Sequence, residues 1–476
     1  MTTMKRLSSL LPLTMALVLA GCVNLAPKYE RPAAPVAGAF PTVEGTVNSG
    51  NPVAPQAPAS IAWQHFFTDQ RLQQLITLSL NNNRDLRVAV LNIEQARAAY
   101  QIQRAGQFPA IGLGASANRV KAGHDAPISS TYSAGLAVSS FELDLFGRLR
   151  NLTEAAQAQF LATEESRKTV QISLISQVAN TYLTFLADQE LLDLTQQTLK
   201  TREDSLRLTQ LRFDNGVASR LELDQAVSLV EQARTTLAQA QRQRAQDLNL
   251  LTLLIGQPIP DNLPQGLTLA DTNLPDLPAG LPSDLLATRP DVRSAEQQLV
   301  AANADIGAAR ANFFPRITLT GEAGGISNQL SNLTSNGLGW SFAPSVVLPI
   351  FDFGRNRAGL ESARAQRDIS VAQYEKSIQT AFREVADALA GQATYAAQLR
   401  AQQAVAQAEA DRFKLSDLQY RNGISSQLDL LDAQRSLFTA QQQSIEANLA
   451  RLQNQVVLYR VLGGGWIEPG PQTAAR

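Results

Sequence analysis

The chain has 476 residues, 41 Lys and Arg against 42 Asp and Glu, and a net charge of −1. That near-neutral balance gives no electrostatic basis for nucleic-acid binding, and aromatics at 6% are thin for a large compact core. A body rich in Ala, Gln, Leu and Arg is the composition of long helices.

The first element in chain order is a secretory signal over residues 1–21. Lys5 and Arg6 precede the apolar run LLPLTMALVLA, and Leu19, Ala20 and Gly21 lead into Cys22. This reads as a bacterial lipobox, predicting cleavage before Cys22 and a covalent lipid there, a diacylglycerol plus an N-acyl chain. Cys22 is the only cysteine, so an internal disulfide is excluded. Val23 rather than Asp follows it, as in lipoproteins sorted to the outer membrane. The apolar run is too short for a lasting transmembrane helix, and one lipid signal anchors weakly. Residues 22–60, rich in Pro, Gly, Ala and Ser, read as an extended arm rather than a packed element.

The rest is organised by a duplication. LRFDNGVASRLELDQA at 211–226 and LQYRNGISSQLDLLDA at 418–433 share seven of sixteen residues at an offset of 207. RDLRVA at 84–89 matches PDVRSA at 290–295, FPAIGL at 108–113 matches FPRITL at 314–319, and FGRLR at 146–150 matches FGRNR at 353–357. Four matches in order at one near-constant offset define two repeats, 70–260 and 282–465, joined by a Pro-rich linker at 261–281 and followed by a tail at 466–476.

Each repeat opens with a helix, over about 70–106 and 284–312, that ends before Phe-Pro because proline tends to end a helix. The period then switches to two. Ile111, Leu113, Ala115 and Ala117 alternate with small polar residues, as do Ala134, Leu136 and Val138, before the phase flips to Phe141, Leu143 and Leu145. In the second repeat Trp340, Phe342, Val346, Leu348 and Ile350 are expected on one face. The spacing therefore predicts one antiparallel hairpin per repeat, at 110–145 and 316–351, with strands of about ten residues, enough to cross a bilayer. Proline-free helical patterns follow over about 147–213 and 354–420, each on the order of 100 Å long. An Asn-Gly turn and a returning helix of about 40 residues close each repeat. Asn215-Gly216 and Asn422-Gly423 are expected as left-handed C-caps, and Ser219 and Ser426 as N-caps.

No catalytic chemistry stands out, and the chain reads as a non-enzyme. His65 and His124 are placed in loops with no cysteine nearby, so no metal site is expected. LGGGW at 462–466 lacks the Lys-Ser/Thr of a phosphate loop and reads as a helix C-cap. Two hairpins give four strands, which cannot close a barrel. Open sheet edges are not viable in hydrocarbon, so membrane-crossing strands demand several chains.

The most specific segments are ATRPDVRSAEQQLVAANADIGAARANFFP, FDFGRNRA, YRNGISSQLDLLDAQRSLFTAQQQ and LYRVLGGGW. Through them residues 60–466 resemble the outer-membrane efflux proteins of the TolC/OprM type, and the lipobox resembles the lipidated OprM branch. The resemblance implies a mainly α fold with membrane β: a homotrimer whose 12-stranded barrel continues into a periplasmic helical barrel. It implies a passive exit duct for a tripartite multidrug, antibiotic or solvent pump, in the outer membrane of a Gram-negative bacterium. The implied partners are a periplasmic adaptor (membrane fusion protein) and an inner-membrane RND-type antiporter, with no nucleic acid and no cofactor beyond the lipid on Cys22. By the same resemblance, charged residues beside the turns become gate candidates, Asp417 and Arg421, and adaptor-facing candidates, Asp214 and Arg212. Competing readings are an outer-membrane exit for secreted proteins or metal ions, and a pore-less periplasmic lipoprotein with coiled-coil arms.

Overall fold

The change of hydrophobic period marks the change from helix to strand. β1 (Ile111–Lys121) pairs with β2 (Ile128–Leu143), and β3 (Arg316–Ser327) pairs with β4 (Leu338–Val347), both antiparallel. β2 also pairs with β3, giving one sheet in the order β1-β2-β3-β4. The computed structural model describes residues 24–41, 61–277, 288–335 and 338–466. The signal peptide, Cys22 and its lipobox lie outside them, as do residues 42–60 and most of the tail.

The phase flip in β2 is a bulge. The register with β3 shifts between Val138 and Phe141, and Ser140 takes a positive φ of 52°. An extra residue in one strand restores the same outward face beyond it. Leu348 and Ile350, expected on the Trp340 face, fall past the end of β4. Pro349 sits between them and has no N–H to give a ladder.

Eight α-helices and a short 3-10 turn at Leu330–Asn332 complete the described residues. In the first repeat they are α1 (Trp63–Phe66), α2 (Gln70–Asn82), α3 (Arg84–Ala105), α4 (Arg148–Asp214) and α5 (Arg220–Ile255). In the second they are α6 (Pro290–Ala311), α7 (Arg355–Arg421) and α8 (Gln427–Val461). The single helix expected at 70–106 is broken at Asn83, whose backbone is extended at φ −61°, ψ 132°. Its side chain causes the break: Oδ1 accepts the Leu86 amide and caps α3, while Nδ2 donates to the Leu254 carbonyl. The helix expected from 284 begins at Pro290, with 284–287 outside the described residues. His65 lies in α1, not in a loop; His124 is in the β1–β2 connection.

The chain forms two units that each draw on both repeats. The first takes residues up to Ala34, Leu91–Glu165 and Arg293–Ser377; the second takes Pro35–Val90, Ser166–Val292 and Ile378 onward. In the first, Ala155, Ala158, Ala301 and Ala304 are buried together with Val300 beside them. Small residues let α4 and α6 approach closely. In the second, Phe66 stacks on Tyr459 with ring centroids 4.1 Å apart, and the Tyr459 hydroxyl donates to the Ile61 carbonyl at 2.6 Å.

The arm after Cys22 is extended as expected but is also packed. Along one face of α6, Arg310 donates to the Leu25 carbonyl and Asn303 to the Pro27 carbonyl. Arg31 forms a two-pronged ion pair with Glu296 at 2.7 and 2.9 Å, and the Tyr29 hydroxyl donates to the same carboxylate. Its composition concealed this, because two of the bonds go to arm carbonyls that any sequence supplies and the others to Glu296, some 265 residues away.

Candidate functional site

Two regions carry candidate function: the sheet, and the helix ends at the two Asn-Gly turns. Cross-strand partners share a face, so the register assigns the sheet's two surfaces. Ile111, Leu113 and Ala115 stand opposite Val138, Leu136 and Ala134. Phe141 and Leu143 stand opposite Leu319 and Ile317, and Trp340, Phe342 and Val346 opposite Ala323, Gly321 and Ile317. These residues build one continuous apolar face. Leu113 is 87% and Trp340 77% exposed. The opposite face carries Ser116, Ser133, Glu142, Thr318, Glu322, Ser341 and Ser345. Glu142 there pairs with Arg148 at 2.7 Å and Arg316 at 3.2 Å, tying β2 to the start of α4 and to β3. A sheet with one greasy face, one polar face and two unpaired edges fits a lipid-facing wall of a larger closed barrel. No helix of the described residues is long and apolar enough to cross a membrane.

At the other region both turns are built alike. Gly216 and Gly423 adopt φ of 75° and 72°, and Asn215 and Asn422 donate their side-chain amides to the carbonyls of Leu211 and Leu418. Ser219 and Ser426 cap α5 and α8 in reciprocal capping boxes with Glu222 and Asp429. The Ser219 bonds hold the Glu222 carboxyl below the usual carboxylate range. Both serines and both glycines stand where the sequence placed them.

The four charged candidates differ in what they bond. Arg421 and Asp417 form an exposed ion pair at 2.8 Å within α7, one helical turn apart. Asp214 accepts from Gln210 of its own helix at 2.8 Å. Arg212 alone crosses from one hairpin to the other. It donates to the Tyr420 hydroxyl at 2.6 Å with its guanidinium 5.1 Å from the ring centroid.

Arg212 is the last member of a seam that the sequence reading missed. Arg202 is buried on Phe438 and donates to the Leu229 carbonyl at 2.9 Å; burial lowers its pKa. Gln434 donates to Ser205 at 2.9 Å, and Gln427 donates to Thr209 and to the Glu222 carbonyl at 3.1 Å each. Arg202, Ser205, Thr209 and Arg212 follow the three- and four-residue steps of one helix face. That stripe was visible, but its partners lie some 210 to 240 residues away and nothing local announces them. Outside the seam, both hairpins expose the same apolar positions: Leu208 and Leu415, Leu211 and Leu418, Val217 and Ile424, Leu221 and Leu428. Among the described residues no group of three or more His, Cys, Asp or Glu could hold a metal ion.

Comparison with known proteins agrees with this geometry. The model of the family described as outer membrane efflux protein matches residues 75–257 and 281–464, one match per repeat. The chain is 49% identical over 468 residues to the antibiotic efflux pump outer membrane protein ArpC of Pseudomonas putida, covering 97% of this chain and 96% of that one. It is equally similar, with the same coverage, to the toluene efflux pump outer membrane protein TtgC of the same species. Its fold is similar to the open state of the MtrE outer membrane channel of Neisseria gonorrhoeae, with TM-score 0.84 and 38% identity over 93% of this chain and 98% of that one.

Proposed function

Because the chain belongs to the outer membrane efflux protein family, we propose that it is the outer-membrane exit duct of a pump that expels antibiotics or organic solvents. The observation that carries this is the four-stranded sheet with an apolar face and two unpaired edges. Three copies close it into a 12-stranded barrel, which leaves no edge in hydrocarbon and is wide enough for a water-filled lumen. The polar face lines that lumen. The chain performs no reaction; it conducts when its periplasmic helix ends separate, and the energy for transport comes from an inner-membrane antiporter of the RND type.

The helix ends are where a periplasmic adaptor docks. Val217 and Ile424, 64% and 76% exposed, and Leu221 and Leu428 present two matching apolar patches per chain at the turns. Within each chain the Arg212–Tyr420 contact and the Gln427 and Gln434 bonds hold the two hairpins together. These contacts, with Asp417 and Arg421 beside them, form the closed gate. The lipidated Cys22 adds a second hold on the membrane through the arm.

Planar-bilayer recording of the purified oligomer tests the duct. The wild type is expected to conduct weakly, and Arg212→Ala to conduct more. A detergent-stable oligomer that conducts in neither form would overturn the reading. Mass analysis of the mature N-terminus is expected to show a triacylated Cys22 starting the chain; an unmodified one would remove the lipid from the proposal.

A further inference from the structure

The first hairpin contains a half-buried and a buried acid that the duct does not need. Asp188 on α4 and Asp247 on α5 lie side by side between the two helices, next to the Arg244–Gln189 bond that joins α5 to α4. Asp247 is only 5% exposed. The Oδ2 atom of each carboxyl has no donor among the described residues. Among the described residues neither carboxyl has an ion-pair partner. Arg244, one turn before Asp247, is committed to Gln189 and to the Phe185 ring. On the α8 side Gln453 bonds Thr184, and Arg451 bonds Asn448. Close by in sequence, Glu190 on α4 is itself raised by burial and by Asp193 and by Asp271 of the following coil, all of them acidic. Burial first, and the neighbouring Asp247 carboxyl second, favour the protonated form of Asp188.

We propose that Asp188 and Asp247 form a proton-operated latch between α4 and α5: protonated, it joins the helices, and ionised, it pushes them apart. The part of this that concerns opening rests on the duct reading; the latch itself does not. The second repeat shows what the site looks like without the function. At the offset of 207, Tyr395 and Asn454 replace the two acids, and Asn454 donates to the Ala388 carbonyl.

The direction with pH follows from linkage. Burial and the Asp247 carboxyl raise the Asp188 pKa from 3.8 to about 7. Helices that have separated would release the proton near pH 4, whereas packed helices retain it until about 7. Packing therefore weakens as pH rises through that window and changes no further above it. Each pH unit is worth at most about tenfold in the opening equilibrium.

Amide hydrogen exchange on the detergent-purified trimer tests the latch, with rates corrected for the intrinsic pH dependence of exchange. From pH 5 to pH 7.5, protection around Asp188 and Asp247 is expected to fall about tenfold or more relative to the segments around Tyr395 and Asn454. In Asp247→Asn, and independently in Asp188→Asn, the amide supplies a permanent donor and the fall should vanish. An equal fall in both repeats, or a fall that survives in either variant, overturns the latch. Bilayer recording adds the functional arm: open probability should rise over the same interval in the wild type and stay flat in Asp247→Asn. A conducting channel indifferent to pH would overturn the coupling to opening, whereas a channel silent at every pH with the exchange difference present would count against the duct alone.

Discussion

The two repeats end their returning helices on the same spot and secure it with different chemistry. In the first, the Leu254 carbonyl near the end of α5 accepts from Asn83 and from Ser79. In the second, the matching carbonyl of Val461 accepts from Arg289, which also grips Asp291 at 2.6 Å and Glu384 at 2.9 Å. Asn83 and Arg289 occupy equivalent positions, 206 residues apart. A duplicated backbone preserves the acceptor, since every helix end leaves carbonyls unsatisfied. The donor is free to diverge, provided it brings its own compensation. Asn83 needs none beyond its cap of α3. The Arg289 side chain, 8% exposed, needs two carboxylates, which outweigh burial and raise its pKa.

The largest effect should come from breaking the charged version. Arg289→Met leaves Asp291 and Glu384 without their cation and is expected to cost about 3 kcal/mol, discounted from the fully buried case because both acids are partly exposed. Asn83→Ala removes neutral bonds and should cost about 1 kcal/mol. Thermal unfolding of the trimer in detergent measures both. Equal losses would mean that the two solutions are energetically interchangeable.

A second contrast lies in the glycines that follow. Gly256 and Gly463 hold φ of 77° and 83°, and a Cβ there would lie 2.5 Å from the Asn82 carbonyl oxygen and 2.9 Å from that of Thr288. Gly216 and Gly423 have similar φ but open space around them. Alanine at either turn should cost only the left-handed penalty of about 1 kcal/mol. At Gly256 and Gly463 it should cost more, because backbone must also move, and most at Gly256 where the approach is tighter. Unfolding midpoints of the four variants give the ranking directly.

The same contrast shows what the chain reveals before it folds. The duplication, hairpins, long helices and Asn-Gly turns all rest on local rules: period, proline placement and capping. Even the bulge was visible, as the jump from Val138 to Phe141 on one face. The break at Asn83 was not, because its side chain caps α3 in competition with a sequence that otherwise reads as one helix. Arg202, Ser205 and Thr209 escaped for a different reason. They read as a solvated stripe until the other repeat is laid against them, and pairing between repeats leaves no local trace. The charges nearest the turns drew notice by position, yet three of the four bond within their own helices.

At one position of the seam the repeats differ by a single hydroxyl. Phe213 and Tyr420 are equivalent, and only Tyr420 can accept from Arg212. Tyr420→Phe makes the second repeat resemble the first while keeping the ring under the guanidinium. The expected loss is about 1 kcal/mol, with bilayer conductance rising less than in Arg212→Ala, which removes the bond and the stacking together. Identical conductance in the two variants would assign the whole contact to the hydrogen bond.

The smallest effect is expected where the two turns differ most in sequence. Asp214 and Arg421 are opposite charges at equivalent positions, and each is held only within its own helix. The Arg421 side chain is 69% exposed, so its ion pair with Asp417 should be worth no more than about 0.5 kcal/mol. Single replacements, Arg421→Gln and Asp214→Asn, should leave unfolding of the isolated trimer almost unchanged. If these charges act at all in the closed gate, they do so where copies meet, and that sum is electrostatic and screened by salt. Recording Arg421→Gln at low and high ionic strength therefore separates the two roles. A conductance increase that fades with salt keeps Arg421 in the gate. No increase at low salt confines it to capping the end of α7, and leaves Arg212 as the charge in the proposed gate.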